Sequence, residues 1–148
     1  MKQLKRFSLL FLMVFLGFHI HVWSQVYISA GNTITQNFDE IGTSANATLP
    51  TGWKADKRAT VRNVGTYSGA GTTTERLGGN GMATNASNGI YNYGAGVADS
   101  ATDRAVGGLS SRDASKSVNI YVQLTNNGTT TINSLTISYN VEKYRNGS

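Results

Sequence analysis

Residues 117–141 read SVNIYVQLTNNGTTTINSLTISYNV, and the fold class turns on this stretch. In its first half Val118, Ile120, Val122 and Leu124 fall on one side of an extended chain, with Asn119, Tyr121 and Gln123 on the other. The second half repeats the pattern, with Leu135, Ile137, Tyr139 and Val141 alternating with Thr136, Ser138 and Asn140. Successive side chains of a strand point to opposite faces. Period-two alternation rich in β-branched and aromatic residues therefore predicts two half-buried strands. No other segment after residue 25 places as many apolar residues so regularly. The two strands are expected at the centre of the core, with Val118, Ile120, Val122, Leu124, Leu135, Ile137 and Tyr139 facing inward. Asn127-Gly128 between them suits a type I′ hairpin turn, but Ile132 is out of phase with Leu135, Ile137 and Tyr139. Either a bulge or an arch from one sheet to another restores the phase, with the arch preferred.

The surrounding composition agrees with a β fold. The chain has 148 residues with 17 glycines, one proline and no cysteine. Gly, Ser, Thr and Asn suit short strands joined by turns and long polar loops, and they disfavour helices. The missing cysteines exclude disulfides and thiolate metal sites. Formal charge is +5, but Lys2, Lys5 and Arg6 lie at the extreme N-terminus, and without them ten basic side chains face eight acidic ones. That balance is too weak to argue for nucleic acid or for an anionic membrane as partner.

Residues 1–24 follow the plan of a secretory signal peptide. Lys2, Lys5 and Arg6 form a positive start, residues 7–20 are apolar apart from Ser8 and His19, and Val22 and Ser24 precede a cut at Gln25. The apolar run is shorter than the about 20 residues of a bilayer span, so a retained anchor is the lesser alternative. No cysteine stands at the cut, which excludes a lipoprotein. The expected product is residues 25–148, secreted or at the cell surface, with no membrane attachment after cleavage. Both histidines, His19 and His21, leave with the signal. Ser-His-Asp and Cys-His nucleophile systems and histidine-ligated zinc are then unavailable, and the module is expected not to be an enzyme.

Residues 26–30 and 33–38 read as two short strands around a turn at Gly31-Asn32. The polar loop NFDEIGTSANATLPTGWKAD follows, punctuated by Phe38, Ile41, Leu49 and Trp53. Residues 59–64 are a further strand candidate. In the loop-rich part from Gly65 onward, only residues 90–93 and 104–106 look like strand cores. GAGTTT at Gly69 and GAGVAD at Gly94 imitate half of a dinucleotide fingerprint, but neither has the third glycine or a strand–helix setting.

Three constellations follow from these placements. Trp53, Tyr67, Tyr91 and Tyr93 lie in or beside the polar loops, and exposed rings there would stack on a glycan or surface polymer. Tyr91 and Tyr93 are two apart and share a face of a strand, whereas Trp53 equally well plugs one end of the core. Asp39, Asp99 and Asp103 with loop carbonyls offer the oxygen ligands that calcium needs; no other cofactor is implied. Arg104 is expected to pair with Glu142 across two sheets, with Arg145 beside them, as a structural ion pair. The eight carboxylates are scattered and show no converging pair of the glycosidase kind. Ser115-Lys116 is mere adjacency, since neighbours on a strand face opposite ways.

Four stretches together resemble one family: FDEIGTSANATLPTGW (38–53), IYNYG (90–94), DRAVGGLSS (103–111) and YVQLTNNGTTTINSLTISYNVEKYR (121–145). The chain resembles the N-terminal module of large secreted proteins of Gram-negative bacteria, which carry lamin-tail or extracellular endonuclease domains downstream or end in a sorting tail for type IX secretion. The resemblance implies an all-β, jelly-roll-like antiparallel β-sandwich without catalytic residues to carry over. It also implies that the sandwich is incomplete at its C-terminus, with downstream domains and the secretion machinery as partners. Binding of glycan and a spacer role for those domains are the two functions it leaves open. If exported, the chain should begin at Gln25, cyclised to pyroglutamate, when intact mass is measured. Retention of residues 1–24 would instead place it at the membrane.

Overall fold

The computed structural model describes residues 25–110 and 115–145, so the signal-peptide reading of residues 1–24 falls outside the described residues. Among the described residues the chain is mostly strand, with two single-turn 3-10 helices, and the fold is all-β. Seven strands form: β1 (Val26–Ile28), β2 (Trp53–Arg58), β3 (Arg76–Gly78), β4 (Gly89–Gly94), β5 (Arg104–Leu109), β6 (Ser117–Val122) and β7 (Leu124–Asn126). No helix among them is long and apolar enough to cross a membrane.

The first half of the diagnostic stretch is strand, as its alternation predicts. It pairs antiparallel with β2, with Ala55 opposite Ile120 and Asp56 opposite Asn119. Strand β2 forms where the sequence reads as the end of a polar loop. Trp53, Ala55 and Lys57 face the side of Val122, Ile120 and Val118, while Lys54, Asp56 and Arg58 face the side of Tyr121, Asn119 and Ser117. After Val122 the chain changes partner. Gln123 bonds back to Gly52 through its N–H and accepts from Val26 through its carbonyl, and β7 then pairs with β1. Gly52 has a φ of +82°, and a Cβ there would lie 2.8 Å from the Val26 backbone nitrogen. Only glycine permits this crossing.

The remaining strands form one sheet in the order β3-β4-β5. Two ladders, β1–β7 and β3–β4, are parallel, which corrects the expectation of a wholly antiparallel arrangement. Leu49, Ala55 and Ile90 form the buried cluster, with Trp53, Val106 and Val118 packed on it. The sheets approach closely where β5 carries glycine: a Cβ on Gly108 would fall 2.3 Å from Val118.

The second half of the diagnostic stretch differs from expectation. Residues 131–145 join no strand, and Leu135, Ile137 and Tyr139 are exposed rather than core, as is Ile120 in β6. Neither Asn127 nor Gly128 has positive φ, so no type I′ turn forms, and neither a hairpin nor an arch follows. Alternation makes a segment able to pair; burial needs a neighbouring sheet, and among the described residues none lies against it. Residues 33–38 and 59–64 are also loop. Phe38 takes a φ of +66° and Arg62 one of +56°, which ends extended backbone at both places.

Polar groups fill part of the interior. Asn92 is fully buried on β4, donating to Gly42 O (2.8 Å) and Ser44 O (2.9 Å) and accepting from Arg104 Nε (2.9 Å). Arg104 is 2 % exposed. Its guanidinium donates further to Asn92 O at 3.2 Å, Ala98 O at 2.7 Å and Ala101 O at 3.4 Å. Removing one partner of a buried charged hydrogen bond costs about 3 kcal/mol or more. Asn92→Ala should therefore lower the denaturant midpoint strongly at unchanged slope, whereas an unaltered midpoint would show that the contact contributes nothing.

Candidate functional site

The outer face of β3-β4-β5 carries the concentration of aromatic side chains. Period two places Tyr91 and Tyr93 on that face together, as the sequence predicts. Their rings stack with centroids 5.0 Å apart and planes within 10°. Glycine makes room for them. A Cβ on Gly78, opposite Tyr93 on β3, would lie 2.8 Å from that ring, and one on Gly107 of β5 would lie 3.2 Å away. Tyr144 extends the stack, its centroid 4.7 Å from Tyr93 at an angle of 6°. Tyr93 thus has a ring on either side, and Tyr91 and Tyr93 are only 3 % and 8 % exposed.

Burial acts on the phenols. Tyr93 is pushed up to about 12, chiefly by burial and further by the neighbouring Tyr91, against the opposing charge of Arg145. Tyr91 is raised by burial although Arg76 and Arg145 pull it back. Tyr144 stands above its usual value through burial, its hydrogen bond to Glu142 and the charges of Glu142 and Asp103.

Beside Tyr91 runs an open groove of about 400 Å³, lined by Glu75, Arg76, Leu77, Met82, Ser87 and Tyr91 among others. Its polar groups are largely engaged. The Tyr91 hydroxyl donates to Ser87 O at 2.5 Å, and Arg76 Nε donates to Asn88 O at 2.9 Å. Glu75 meets Lys57 Nζ at 2.7 Å and accepts from Ile90 N at 3.1 Å. Burial acts to raise the Glu75 carboxyl. Lys57, the Ile90 N–H and Arg76 outweigh it and hold the group below its usual value. The groove brings together no nucleophile–base pair and no converging carboxylates.

The other expected residues are dispersed. Trp53 is half-buried on the core cluster with an edge-to-face contact to Phe38 at 5.0 Å, a core plug rather than a platform. Tyr67 lies beneath Lys54, whose ammonium sits 4.6 Å from its ring centre, on the opposite face of β2 from Trp53. That face is a saturated polar layer: Asn119 Nδ2 and Arg58 Nε donate to Asp56 at 2.7 and 2.9 Å, and Tyr121 accepts from Gly65 N at 2.8 Å. Asp39 receives the Arg104 N–H at 2.9 Å and Asn37 Nδ2 at 2.6 Å, while Asp99 and Asp103 are exposed. Among the described residues no three acidic, histidine or cysteine side chains gather as a metal-binding group. Arg104 is linked by no salt bridge to Glu142. Glu142 accepts from the Tyr144 hydroxyl, and Arg145 donates to Thr84 O. In place of the expected ion pair, the Arg104 guanidinium is held by oxygens of Asn92, Ala98 and Ala101.

Sequence reasoning missed Glu75, Arg76 and Met82 as groove residues. They become neighbours of Tyr91 only through the parallel β3–β4 pairing, which no short-range signal announces. No protein-family model, curated protein or solved structure matches this chain.

The raised Tyr93 has a consequence at high pH. Below about pH 10 the folded and unfolded chains both hold the proton, and stability is unaffected by this group. Above it the unfolded chain releases the proton first, so stability should fall as pH rises from 10 through about 12. Denaturant melts along this range should show the decline, and Tyr93→Phe should make it shallower, with the raised Tyr91 and Tyr144 phenols supplying the remainder. An identical slope in the variant would mean that Tyr93 titrates as an ordinary phenol.

Proposed function

We propose that this chain is a non-catalytic module of a secreted or cell-surface protein, with a jelly-roll-like sandwich architecture. It acts as a structural spacer or cap that positions other domains, of the kind its resemblance to N-terminal modules of secreted bacterial proteins implies. One observation carries the choice of spacer over binder: the rings best placed to stack on a sugar are stacked on each other. A pyranose-binding platform needs an open aromatic face, and Tyr93 has Tyr91 on one side and Tyr144 on the other.

A second reading rests on the groove beside Tyr91. It combines apolar walls from Leu77 and Met82 with the charged edges of Glu75 and Arg76, the composition of a small polar-ligand site. A glycan or surface polymer would enter there rather than on the tyrosine faces.

Glycan arrays and bacterial surface-polymer pull-downs separate the two. The spacer reading expects no retained polymer, and expects Tyr93→Ala to lose about 3–5 kcal/mol of stability, as deletion of a buried aromatic ring does. Retention that disappears in Arg76→Ala while the melting temperature holds would establish binding in its place.

A further inference from the structure

Residues 131–145 run without helix, turn or bend, yet they lie in no sheet. Among the described residues, no atom of 131–141 takes part in a hydrogen bond. The backbone is therefore unpaired along both edges. Leu135, Ile137, Tyr139 and Val141 project from one side by their period, and they are 53, 70, 82 and 83 % exposed. Proteins usually blunt such an edge with lysine, proline or a bulge. Here no charge occurs between Lys116 and Glu142, and the one proline is Pro50. The segment is uncharged, alternates as a strand does and lies in no sheet.

We infer that this strand pairs antiparallel with the same strand of a second copy of the chain, about a twofold axis through Ser138. The sequence is complementary to itself in that register. Leu135 faces Val141, Ile137 faces Tyr139, Thr136 faces Asn140 and Ser138 faces its own copy. Further out Ser134 meets Glu142, Asn133 meets Lys143 and Ile132 meets Tyr144, so no like charges are opposed. Directly opposed residues of an antiparallel pair share a face, so the four apolar positions of both copies form one apolar surface. Other registers are poorer. A one-residue slip sets every apolar side chain against a polar one. A twofold at Ile137 sets Val141 against Asn133 and Ile132 against Glu142, and one at Tyr139 sets Leu135 against Lys143. A closed isologous pair satisfies the inner edge of each strand without propagating. A two-stranded ribbon alone is marginal in water, so the dimer is weak and concentration-dependent.

The chain has no cysteine, which makes the register directly readable. In the full chain as its host processes it, Ser138→Cys should form a disulfide-linked dimer under mild oxidation, since opposed residues at an antiparallel dyad lie within disulfide reach. Thr136→Cys and Asn140→Cys should each cross-link poorly alone and readily when mixed. Sedimentation of the unmodified chain should show a monomer–dimer equilibrium, abolished by Ile137→Lys. That variant should melt at the same temperature, because Ile137 is exposed and takes part in no hydrogen bond. Three results would each overturn the inference: a monomer at all concentrations with Ser138→Cys oxidising no faster than Ser68→Cys on an exposed 3-10 turn, a dimer that survives Ile137→Lys, or dye-binding fibres of parallel in-register strands.

Discussion

The guanidinium of Arg104 is the group on which the described structure depends most. It is charged, almost wholly removed from water, and surrounded by oxygen acceptors that are neutral. Burying an ion costs several kcal/mol unless its hydrogen bonds are replaced, and a planar fork of five donors is well suited to collecting carbonyls from different directions. The acceptors come from two pieces of chain. Asn92 brings β4, and through its amide the 42–44 loop; Ala98 and Ala101 bring the loop between β4 and β5. Asp39 closes the arrangement by accepting the Arg104 backbone N–H. Glycine at position 94 is part of the same constraint, since a Cβ there would lie 2.2 Å from the guanidinium.

The buried apolar cluster is small, consisting of Leu49, Ala55 and Ile90. With such a modest core, ring stacking and polar layers carry much of the cohesion. The tyrosine stack covers the outer face of β3-β4-β5, and the Asp56–Asn119–Tyr121 layer ties the 59–65 loop across the back of β2 and β6. Groups that a sequence reader assigns to ligand are thereby engaged within the fold. Among the described residues, the groove beside Tyr91 and the segment 131–141, with Leu135, Ile137, Tyr139 and Val141 exposed, still face outward.

Some of this is legible residue by residue. Strands β4, β5 and β6 can be read because alternation or a short apolar run marks them, and the shared face of Tyr91 and Tyr93 follows from period two alone. Strand β2 escaped because Lys54, Asp56, Lys57 and Arg58 look like loop composition, although three of those side chains line its polar face. Residues 135–141 misled in the opposite direction, since their alternation is as regular as that of β6 while no sheet lies against them. The closed aromatic stack was out of reach too. Tyr144 meets Tyr93 across 51 positions of sequence, a distance over which no pattern operates.

The sequence by itself determined the all-β class, the absence of cysteine throughout and of histidine after residue 21, and which side chains share a strand face. These are properties of composition and of the extended backbone's two-residue repeat, and they need no partner. Only the tertiary structure decided that Arg104 is held by carbonyls, that Tyr91 and Tyr93 are covered, and that Leu135, Ile137 and Tyr139 are not. Burial and pairing belong to two segments at once, and the free energy that selects them arises when distant segments meet.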